Sequence, residues 1–275
     1  MHGPTAQTRT FALLGNPVAH SASPIIQGAA IEHTGVDAIY VALRCEAEDL
    51  PGLLLGLARA GGGGNVTVPH KGIAAQTIEV ASSRVRATRA CNTFWLRRGR
   101  VHGENTDAPA FAAALRAIAG DVRGSRALML GAGGAARSAV YALLEDGCDT
   151  IVVLGRSRAR AREISSVAGR RSRRVVFATD ERAIRGEGFD VVINATPLGL
   201  RPRDRMPLRL GKLGGITAVF DMVYKPGGTA WTRYARSLGI PAADGEEMLV
   251  RQAAAAFEIW FDMPAPSDVM RAAMV

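Results

Sequence analysis

One glycine-rich segment, Gly131-Ala132-Gly133-Gly134-Ala135-Ala136, constrains the fold of this chain more than any other feature. It follows an apolar stretch, Ala127 to Leu130, and opens a segment of helical periodicity that runs to Leu144. In such a strand–loop–helix unit, the first glycine permits a tight turn, the second lets the backbone approach a pyrophosphate, and a small sixth residue keeps the helix close to the strand. The segment therefore predicts a dinucleotide-binding site that includes Gly131, Ala132, Gly133, Gly134 and Ala135.

The same alternation of apolar and helical segments continues towards the C-terminus. Further strands are predicted at Ile151 to Leu154, Val175 to Phe177, Val191 to Asn194 and Ala218 to Phe220. Strands that alternate with helices form parallel sheets with helices on both faces. We therefore predict a Rossmann-like domain over residues 109–241.

The first 108 residues predict a separate, open α/β domain. Short strands at Phe11 to Leu14, Ile39 to Leu43 and Asn65 to Val68 alternate with helical segments, and Gly61 to Gly64 predict a flexible turn before the third strand. Cys91 to Leu96 and Val101 to Glu104 flank a turn-like break and predict a hairpin. The segment after Gly245 is helical, with one apolar face, and we expect residues 242–275 to return to this first domain.

Charge and composition exclude several classes of protein. The net charge is +9, and ten arginines lie between Arg156 and Arg185. No aromatic residues interleave with them as a single-strand nucleic-acid platform requires, so we predict a solvated helical face with a phosphate contact at one end and no nucleic-acid partner. The first ten residues contain no signal core and no stretch reaches about 18 apolar residues, which predicts a cytoplasmic protein without a membrane span. Cys45, Cys91 and Cys148 have no metal or dithiol spacing, so we expect reduced thiols and no metal site.

The second strand of the Rossmann-like domain is followed by Gly155-Arg156-Ser157. NAD-binding proteins usually carry a carboxylate at this point to bind the ribose hydroxyls, and none is present. Arg156, with Arg158 or Arg160 on the next turn, is suited to a 2′-phosphate, which favours NADP over NAD. A surface arginine without a ligand is the alternative.

Several polar segments follow predicted strands, where ligands of open α/β sheets bind. Two of them, Gly15-Asn16-Pro17-Val18-Ala19-His20-Ser21-Ala22-Ser23-Pro24 and Asn65-Val66-Thr67-Val68-Pro69-His70-Lys71, resemble motifs of the shikimate dehydrogenase family. Further similar motifs follow in the family's order, and together they cover nearly the whole chain. They are Cys91-Asn92-Thr93, Gly103-Glu104-Asn105-Thr106-Asp107, Asn194-Ala195-Thr196-Pro197, Asp221-Met222-Val223-Tyr224 and Asp244-Gly245 through Gln252.

The resemblance implies a two-domain enzyme that interconverts 3-dehydroshikimate and shikimate with NADPH, with its active site in a cleft between the domains. It implies Lys71 and Asp107 as the catalytic pair, since a cation and proton donor stabilise the alkoxide character that hydride addition creates. A plain salt bridge is the structural alternative. The resemblance implies substrate contacts for Ser21, Ser23, Thr67, Asn92, Tyr224 and Gln252, and further cofactor contacts for Ser157, Arg160, Thr196, Met222 and Gly245.

Some of these positions have structural alternatives. Ser21 and Ser23 could cap the helix predicted from Pro24, and Gln252 could be a surface residue. His70 is left outside the site because a lone histidine is more often structural.

Other positions depart from the family's usual residues. These are Gly155 before the cofactor arginine, Gln27-Gly28 after the serine motif, Ala108 and Ala230. They leave open a quinate or amino-substituted substrate, and a non-catalytic ligand-sensing relative is a further alternative. The oligomer expected is a monomer or homodimer.

Overall fold

The structure, a computed structural model, describes residues 4–201 and 203–274. The chain forms two compact units. Unit 1 contains the residues up to 107 together with those from 249 onward, and unit 2 contains residues 108–248. Unit 1 is therefore formed by two separate segments of the chain, and unit 2 by one continuous segment.

Unit 1 is built around a six-stranded sheet with the strand order β2-β1-β3-β5-β6-β4. The strands β1, β2 and β3 are parallel, and β5 and β6 form the antiparallel hairpin that the sequence predicts. The elements are β1 (Arg9–Gly15), α1 (Ser23–Thr34), β2 (Ala38–Arg44), α2 (Leu50–Arg59), β3 (Gly63–Val66), α3 (Lys71–Thr77), β4 (Val80–Ala81), α4 (Ser83–Thr88), β5 (Thr93–Arg97) and β6 (Arg100–Glu104).

Both faces of β1 are buried, which explains its uninterrupted apolar sequence. Successive side chains of a strand point to opposite faces, and Phe11 and Leu13 join one core cluster while Ala12 and Leu14 join another. The cluster of Phe11 also contains Phe257 and other residues of the last part of the chain. Residues from 249 onward therefore return to unit 1, whereas residues 242–248, which were expected to return with them, belong to unit 2.

The predicted glycine turn is present only in its first part, because Gly61 lies in a turn with φ of 86° whereas the extension of the turn through Gly64 was wrong. Gly63 and Gly64 belong to β3, which runs from Gly63 to Val66 and ends two residues earlier than predicted. A Cβ atom on Gly64 would overlap the carbonyl oxygen of Ala12, and one on Gly63 would lie 2.6 Å from the carbonyl oxygen of Phe94. The glycines are therefore needed where β3 packs between its two neighbouring strands.

Unit 2 contains a six-stranded sheet in which every pairing is parallel. Its order, β9-β8-β7-β10-β11-β12, is the 3-2-1-4-5-6 order of a Rossmann fold. This confirms the predicted Rossmann-like fold. The elements are α5 (Asp107–Ala119), β7 (Arg126–Leu130), α6 (Gly134–Glu145), β8 (Thr150–Leu154), α7 (Arg158–Ala168), β9 (Val175–Ala178), β10 (Val191–Asn194), β11 (Ala218–Asp221), α8 (Ala230–Ser237) and β12 (Ala242–Ala243). The helix α9 (Glu246–Phe261) begins at the end of unit 2, and its residues from Leu249 onward belong to unit 1.

Among the described residues, the short α-helices α4 and α8 were not predicted, whereas α10 (Ser267–Ala272) lies in the C-terminal segment that was predicted to be helical. Both unpredicted helices begin at a side-chain cap, because Ser82 Oγ accepts from Val85 N and Thr229 Oγ1 accepts from Thr232 N, each at 3.1 Å. The capping residues were therefore the available sequence signal. Within residues 4–201 and 203–274, no helix is both long and apolar enough to cross a bilayer.

Candidate functional site

The loop between β7 and α6 has the geometry expected of a nucleotide-binding loop. Gly131 has φ of 100°, a conformation that residues with a Cβ rarely adopt, and a Cβ there would lie 2.9 Å from Thr196 Cγ2. Ala136 is fully buried, so the helix lies close to the sheet. The loop follows the central strand β7, between the ends of β8 and β10.

This loop also fits the anionic part of a dinucleotide. A Cβ atom built on Gly133 meets no atom of the described residues within 4 Å, so the space beside this backbone is open to a ligand. No side chain in the described part of the chain caps α6 at Gly133. The first N–H groups of a 12-residue helix are therefore available to a phosphate.

The residues after β8 form the second part of this nucleotide-binding region. Arg156 and Arg160 are exposed, and Ser157 Oγ accepts from Arg160 N at 3.4 Å as the N-cap of α7. The side chain of Arg158 lies outside the described residues. At Gly155, a Cβ would lie 3.2 Å from Phe177 Cζ, so the ring of Phe177 occupies the space into which a larger side chain would project.

Asn194 and Asp221 link the ends of β10 and β11, and their part in the region was not predicted. Asn194 Nδ2 donates to Asp221 Oδ1 at 2.8 Å, and Asn194 Oδ1 accepts from the hydroxyl of Thr196 at 2.6 Å. Asp221 Oδ1 also accepts from Val223 N at 3.1 Å, and Oδ2 accepts from Thr229 Oγ1 at 2.8 Å. Burial raises the pKa of Asp221 to about 6, against the opposing effect of these hydrogen bonds.

This pair fixes the backbone that carries two of the expected cofactor residues. Thr196 lies two residues after Asn194, and its amide N donates to Asn194 Oδ1 at 3.0 Å. Met222 follows Asp221 directly, and its carbonyl oxygen lies so close to Gly245 that no Cβ would fit there. Tyr224 is half-buried two residues further along, in unit 2. The sequence signal for the pair was a buried Asn and a buried Asp at the ends of neighbouring predicted strands.

The expected catalytic pair forms in unit 1. Lys71 Nζ lies 2.5 Å from Asp107 Oδ2, and the two side chains are 13% and 6% exposed. Lys71 is the first residue of α3 and Asp107 the first of α5, so both side chains extend from helix N-termini. A buried lysine and aspartate this close satisfy each other's charge and leave the remaining ammonium hydrogens for a ligand.

Asn92 and Gln252 complete a polar network around this pair. Asn92 Nδ2 contacts Asp107 Oδ1 at 3.0 Å, Thr106 Oγ1 at 2.9 Å and Gln252 Oε1 at 3.4 Å. Gln252 Nε2 donates to Leu249 O at 3.0 Å, and only 8% of the residue is exposed. Gln252 is therefore largely buried, which argues against the alternative of a surface glutamine.

Ser21, Ser23 and Thr67 lie on the loops that follow β1 and β3. Ser21 Oγ donates to Ser23 Oγ at 3.2 Å and also accepts from Ser23 N at 3.2 Å. The N-cap of α1 is Ala22, and no side-chain cap of this helix forms within the described residues. Neither serine is therefore the N-cap of α1, and the two hydroxyl groups bond to each other beside the start of the helix. Thr67 is half-buried, with its amide N donating to Leu14 O at 2.9 Å.

Gln27 lies one turn after Ser23 on α1 and is fully buried. Its Nε2 donates to Ala253 O on α9 at 2.9 Å, next to Gln252. Its Oε1 has no hydrogen-bond partner among the residues that the structure describes. Gln27, which departs from the family's usual residue, therefore connects α1, the helix of Ser23, to α9, the helix of Gln252.

His70 has a structural contact that accounts for its burial. Its Nε2 lies 2.9 Å from Cys45 O, and only 2% of the residue is exposed. Cys45, Cys91 and Cys148 are buried free cysteines. In the described parts of the chain, no group of three or more His, Cys, Asp or Glu side chains is arranged to hold a metal ion.

Sequence comparisons identify three family models along the chain. The shikimate dehydrogenase substrate binding domain matches residues 13–94, the shikimate/quinate 5-dehydrogenase model matches 113–198, and the shikimate 5′-dehydrogenase C-terminal domain matches 245–275. The shikimate dehydrogenase (NADP(+)) of Anaeromyxobacter dehalogenans is 41% identical over 274 residues, which cover 98% of this chain and 96% of the relative.

Solved structures give the same result. Shikimate 5-dehydrogenase from Thermus thermophilus, in complex with NADP(H) and shikimate, is 35% identical, with a TM-score of 0.83 and coverage of 97% of this chain and 98% of that one. The ligand-free 5-ketofructose reductase of a Gluconobacter species is 27% identical, with a TM-score of 0.84 and coverage of 98% and 99%. Because three family models follow one another along these residues and a curated relative is 41% identical over almost the entire length, the chain belongs to the shikimate dehydrogenase family.

Proposed function

We propose that this protein is an NADP-dependent shikimate dehydrogenase that reversibly reduces 3-dehydroshikimate to shikimate, a step of aromatic amino acid (chorismate) biosynthesis. The observation that carries the proposal is the buried pair of Lys71 and Asp107, 2.5 Å apart, in a chain that also contains a Rossmann unit with an open glycine loop. A non-catalytic relative would not need to keep a buried ammonium and carboxylate, whose desolvation is costly.

In this function, unit 1 performs the proton transfer. NADPH, when bound, would supply the hydride that reduces the ketone carbon. Lys71 donates a hydrogen bond to the ketone oxygen and delivers the proton that the developing alkoxide needs. Asp107 Oδ2 orients the ammonium, while Asn92 holds the other carboxylate oxygen at 3.0 Å. In the reverse direction the same pair accepts the proton of the substrate hydroxyl.

The substrate is held by polar side chains, and the family resemblance implies Tyr224 as a further contact. Ser21 and Ser23, at the start of the 12-residue helix α1, bind the substrate carboxylate through their hydroxyl groups and are supported by the helix dipole. Thr67, Asn92 and Gln252 bind the ring hydroxyls, since amide side chains offer both donors and an acceptor.

NADP is the cofactor that the residues of unit 2 favour. Gly131 through Ala135, at the N-terminus of α6, would hold the pyrophosphate, because the backbone beside Gly133 is open. Arg156 binds the 2′-phosphate, with Ser157 and Arg160 beside it, and no carboxylate occupies residues 155–160 to repel that phosphate. Thr196, Met222 and Gly245 border the nicotinamide end.

We further propose that the protein acts in the cytoplasm as a monomer or homodimer. Three buried free cysteines suit a reducing compartment.

A matrix of activity against substrate and cofactor tests the proposed function. Purified protein is assayed with shikimate, quinate, an aminoshikimate and fructose, each with NADP and NAD. We expect the highest kcat/KM for shikimate with NADP. Faster oxidation of quinate with NAD, or of an amino-substituted ring, would move the assignment to another member of the family, and absence of turnover with intact NADPH binding would support the ligand-sensing alternative.

A further inference from the structure

Seven arginines of unit 2 lie in two segments that leave its sheet at the same edge. Residues 155–162 contain four arginines and no acidic residue, and residues 195–205 contain three arginines and one aspartate. The first segment follows β8 and the second follows β10. Because all strands of this sheet are parallel, both segments leave it at its carboxyl edge.

The glycine loop lies between these two segments. In the strand order β10-β7-β8, the glycine loop follows the middle strand, so one arginine segment lies on each side of it. The outer strand β9 is followed by Asp180, Glu181 and Arg182, which contribute one net negative charge further from the glycine loop. The positive charge is thus greatest on the two flanks of the loop that we propose to bind the pyrophosphate.

Hydrogen bonds hold the second arginine segment at the end of β10. Asn194 Nδ2 donates to Leu198 O at 3.1 Å, and Gly199 N and Arg201 N donate to Asp204 Oδ2 at 3.2 and 2.8 Å. Asp204 N in turn donates to Arg201 O at 3.1 Å. The single carboxylate of this segment therefore bonds to backbone N–H groups rather than to an arginine side chain.

The arginine rim, as we call Arg156, Arg160, Arg201, Arg203 and Arg205, is exposed. Within the described residues, no carboxylate oxygen lies within 4.0 Å of a guanidinium of the rim. Other arginines of unit 2 do form such pairs, for example Arg116 with Asp146 at 3.0 Å. The rim thus keeps its full charge facing solvent.

We propose that the arginine rim captures the anionic dinucleotide electrostatically, with Arg201 and Arg203 accelerating its association without binding it in the final complex. This inference rests on the proposed function. NADPH carries roughly four negative charges on its pyrophosphate and 2′-phosphate. A surface of one sign raises the association rate of an oppositely charged ligand by about 10- to 1,000-fold, and salt removes the effect because the Debye length falls to about 10 Å at 0.1 M.

The chain offers a matched control for this experiment. Arg170 and Arg173 are also exposed, but they precede β9 and therefore lie at the opposite edge of the sheet. Arg201→Gln/Arg203→Gln and Arg170→Gln/Arg173→Gln both lower the net charge by two, and all four side chains are exposed. Because the two variants lose the same amount of charge, any difference between their association rates reflects the position of that charge.

Stopped-flow fluorescence measures the association and dissociation rates of NADPH with each protein from about 20 to 500 mM salt. We expect Arg201→Gln/Arg203→Gln to slow association about three- to tenfold at low salt, with an unchanged dissociation rate and no difference at high salt. The control variant should stay within about twofold of wild type. Equal slowing in both variants, no slowing in either, or a change confined to dissociation would overturn the proposal. If the wild-type protein does not bind NADPH, the proposed function fails instead.

Discussion

Asn92 Nδ2 lies 3.0 Å from Asp107 Oδ1, while Lys71 Nζ lies 2.5 Å from Oδ2 of the same carboxylate. The two oxygens of Asp107 therefore have different partners, and the carboxylate cannot rotate without losing one of them. This arrangement sets the direction of the lysine ammonium, as the proposed proton transfer requires, and distinguishes the pair from a mobile surface ion pair.

Replacement of Lys71 by alanine should lower kcat by about 100-fold or more, because the general acid is lost. NADPH binding, measured by fluorescence titration, should remain within about twofold of wild type because Lys71 belongs to unit 1. Asp107→Asn, which keeps the shape of the side chain, should also lower kcat, by a smaller factor. Wild-type turnover in Lys71→Ala would exclude the proposed role.

Replacement of Arg156 by alanine should raise the KM for NADPH about tenfold or more and leave the KM for NADH almost unchanged. Only NADPH carries the 2′-phosphate, and a charge-assisted contact to it contributes on the order of 1.5–3 kcal/mol. Steady-state kinetics with both cofactors measures the difference, and Arg170→Ala serves as the control. Parallel increases for the two cofactors would mean that Arg156 does not recognise this phosphate.

Asp221→Asn should make the stability of the protein less dependent on pH. The pKa of Asp221 rises from about 3.9 in the unfolded chain to about 6 in the fold, so its protonated form favours folding. This contribution is fully present below pH 4 and is lost as the pH rises through 6, by about 2–3 kcal/mol in all. Asparagine does not titrate.

The stability of Asp221→Asn relative to wild type should therefore increase between pH 4 and pH 7. Thermal unfolding followed across this range measures it, and any loss of hydrogen bonding in the variant adds an offset that does not change with pH. A difference that stays constant from pH 4 to pH 7 would contradict the raised pKa.

The parts of the fold that repeat a regular period were predictable, and those set by contacts between distant residues were not. Unit 2 follows from alternating apolar strands and helices. The bounds of β3 do not, because Gly63 and Gly64 belong to the strand only on account of carbonyl groups contributed by Ala12 and Phe94. Such a close approach is invisible before the neighbouring strands are known.

Gln27→Met should raise the KM for shikimate about three- to tenfold with little change in NADPH affinity. The variant loses the 2.9 Å hydrogen bond to Ala253 O, so the helices that carry Ser23 and Gln252 are no longer tied. It also removes the unpartnered Oε1, so the free energy of unfolding should change by only about 1 kcal/mol.

The matched variant Gln27→Leu also lacks a donor group and is of similar size. It should raise the KM in the same way. A lower melting temperature with an unchanged KM for shikimate in Gln27→Met would show that Gln27 contributes only to packing.

The candidate site was predictable where one residue type implies one chemistry. A lysine and an aspartate in recognisable motifs indicated the proposed catalytic pair. Asn194 and Asp221, in contrast, act through four hydrogen bonds that involve side chains and backbone of residues 194–229. Nothing in either residue alone indicates that network. Residue identity is therefore informative about chemistry but not about the supports that orient it.

The helix α9 begins in unit 2 and continues into unit 1, whose core contains its residues Ala253 and Phe257. During synthesis, the nucleotide-binding unit is complete once residue 248 has left the ribosome, although it lies later in the chain than most of unit 1. The apolar face of the first 107 residues is covered only after the final helices have been synthesised. Premature termination after residue 248 is therefore expected to release a chain able to fold its nucleotide-binding half and unable to finish the other.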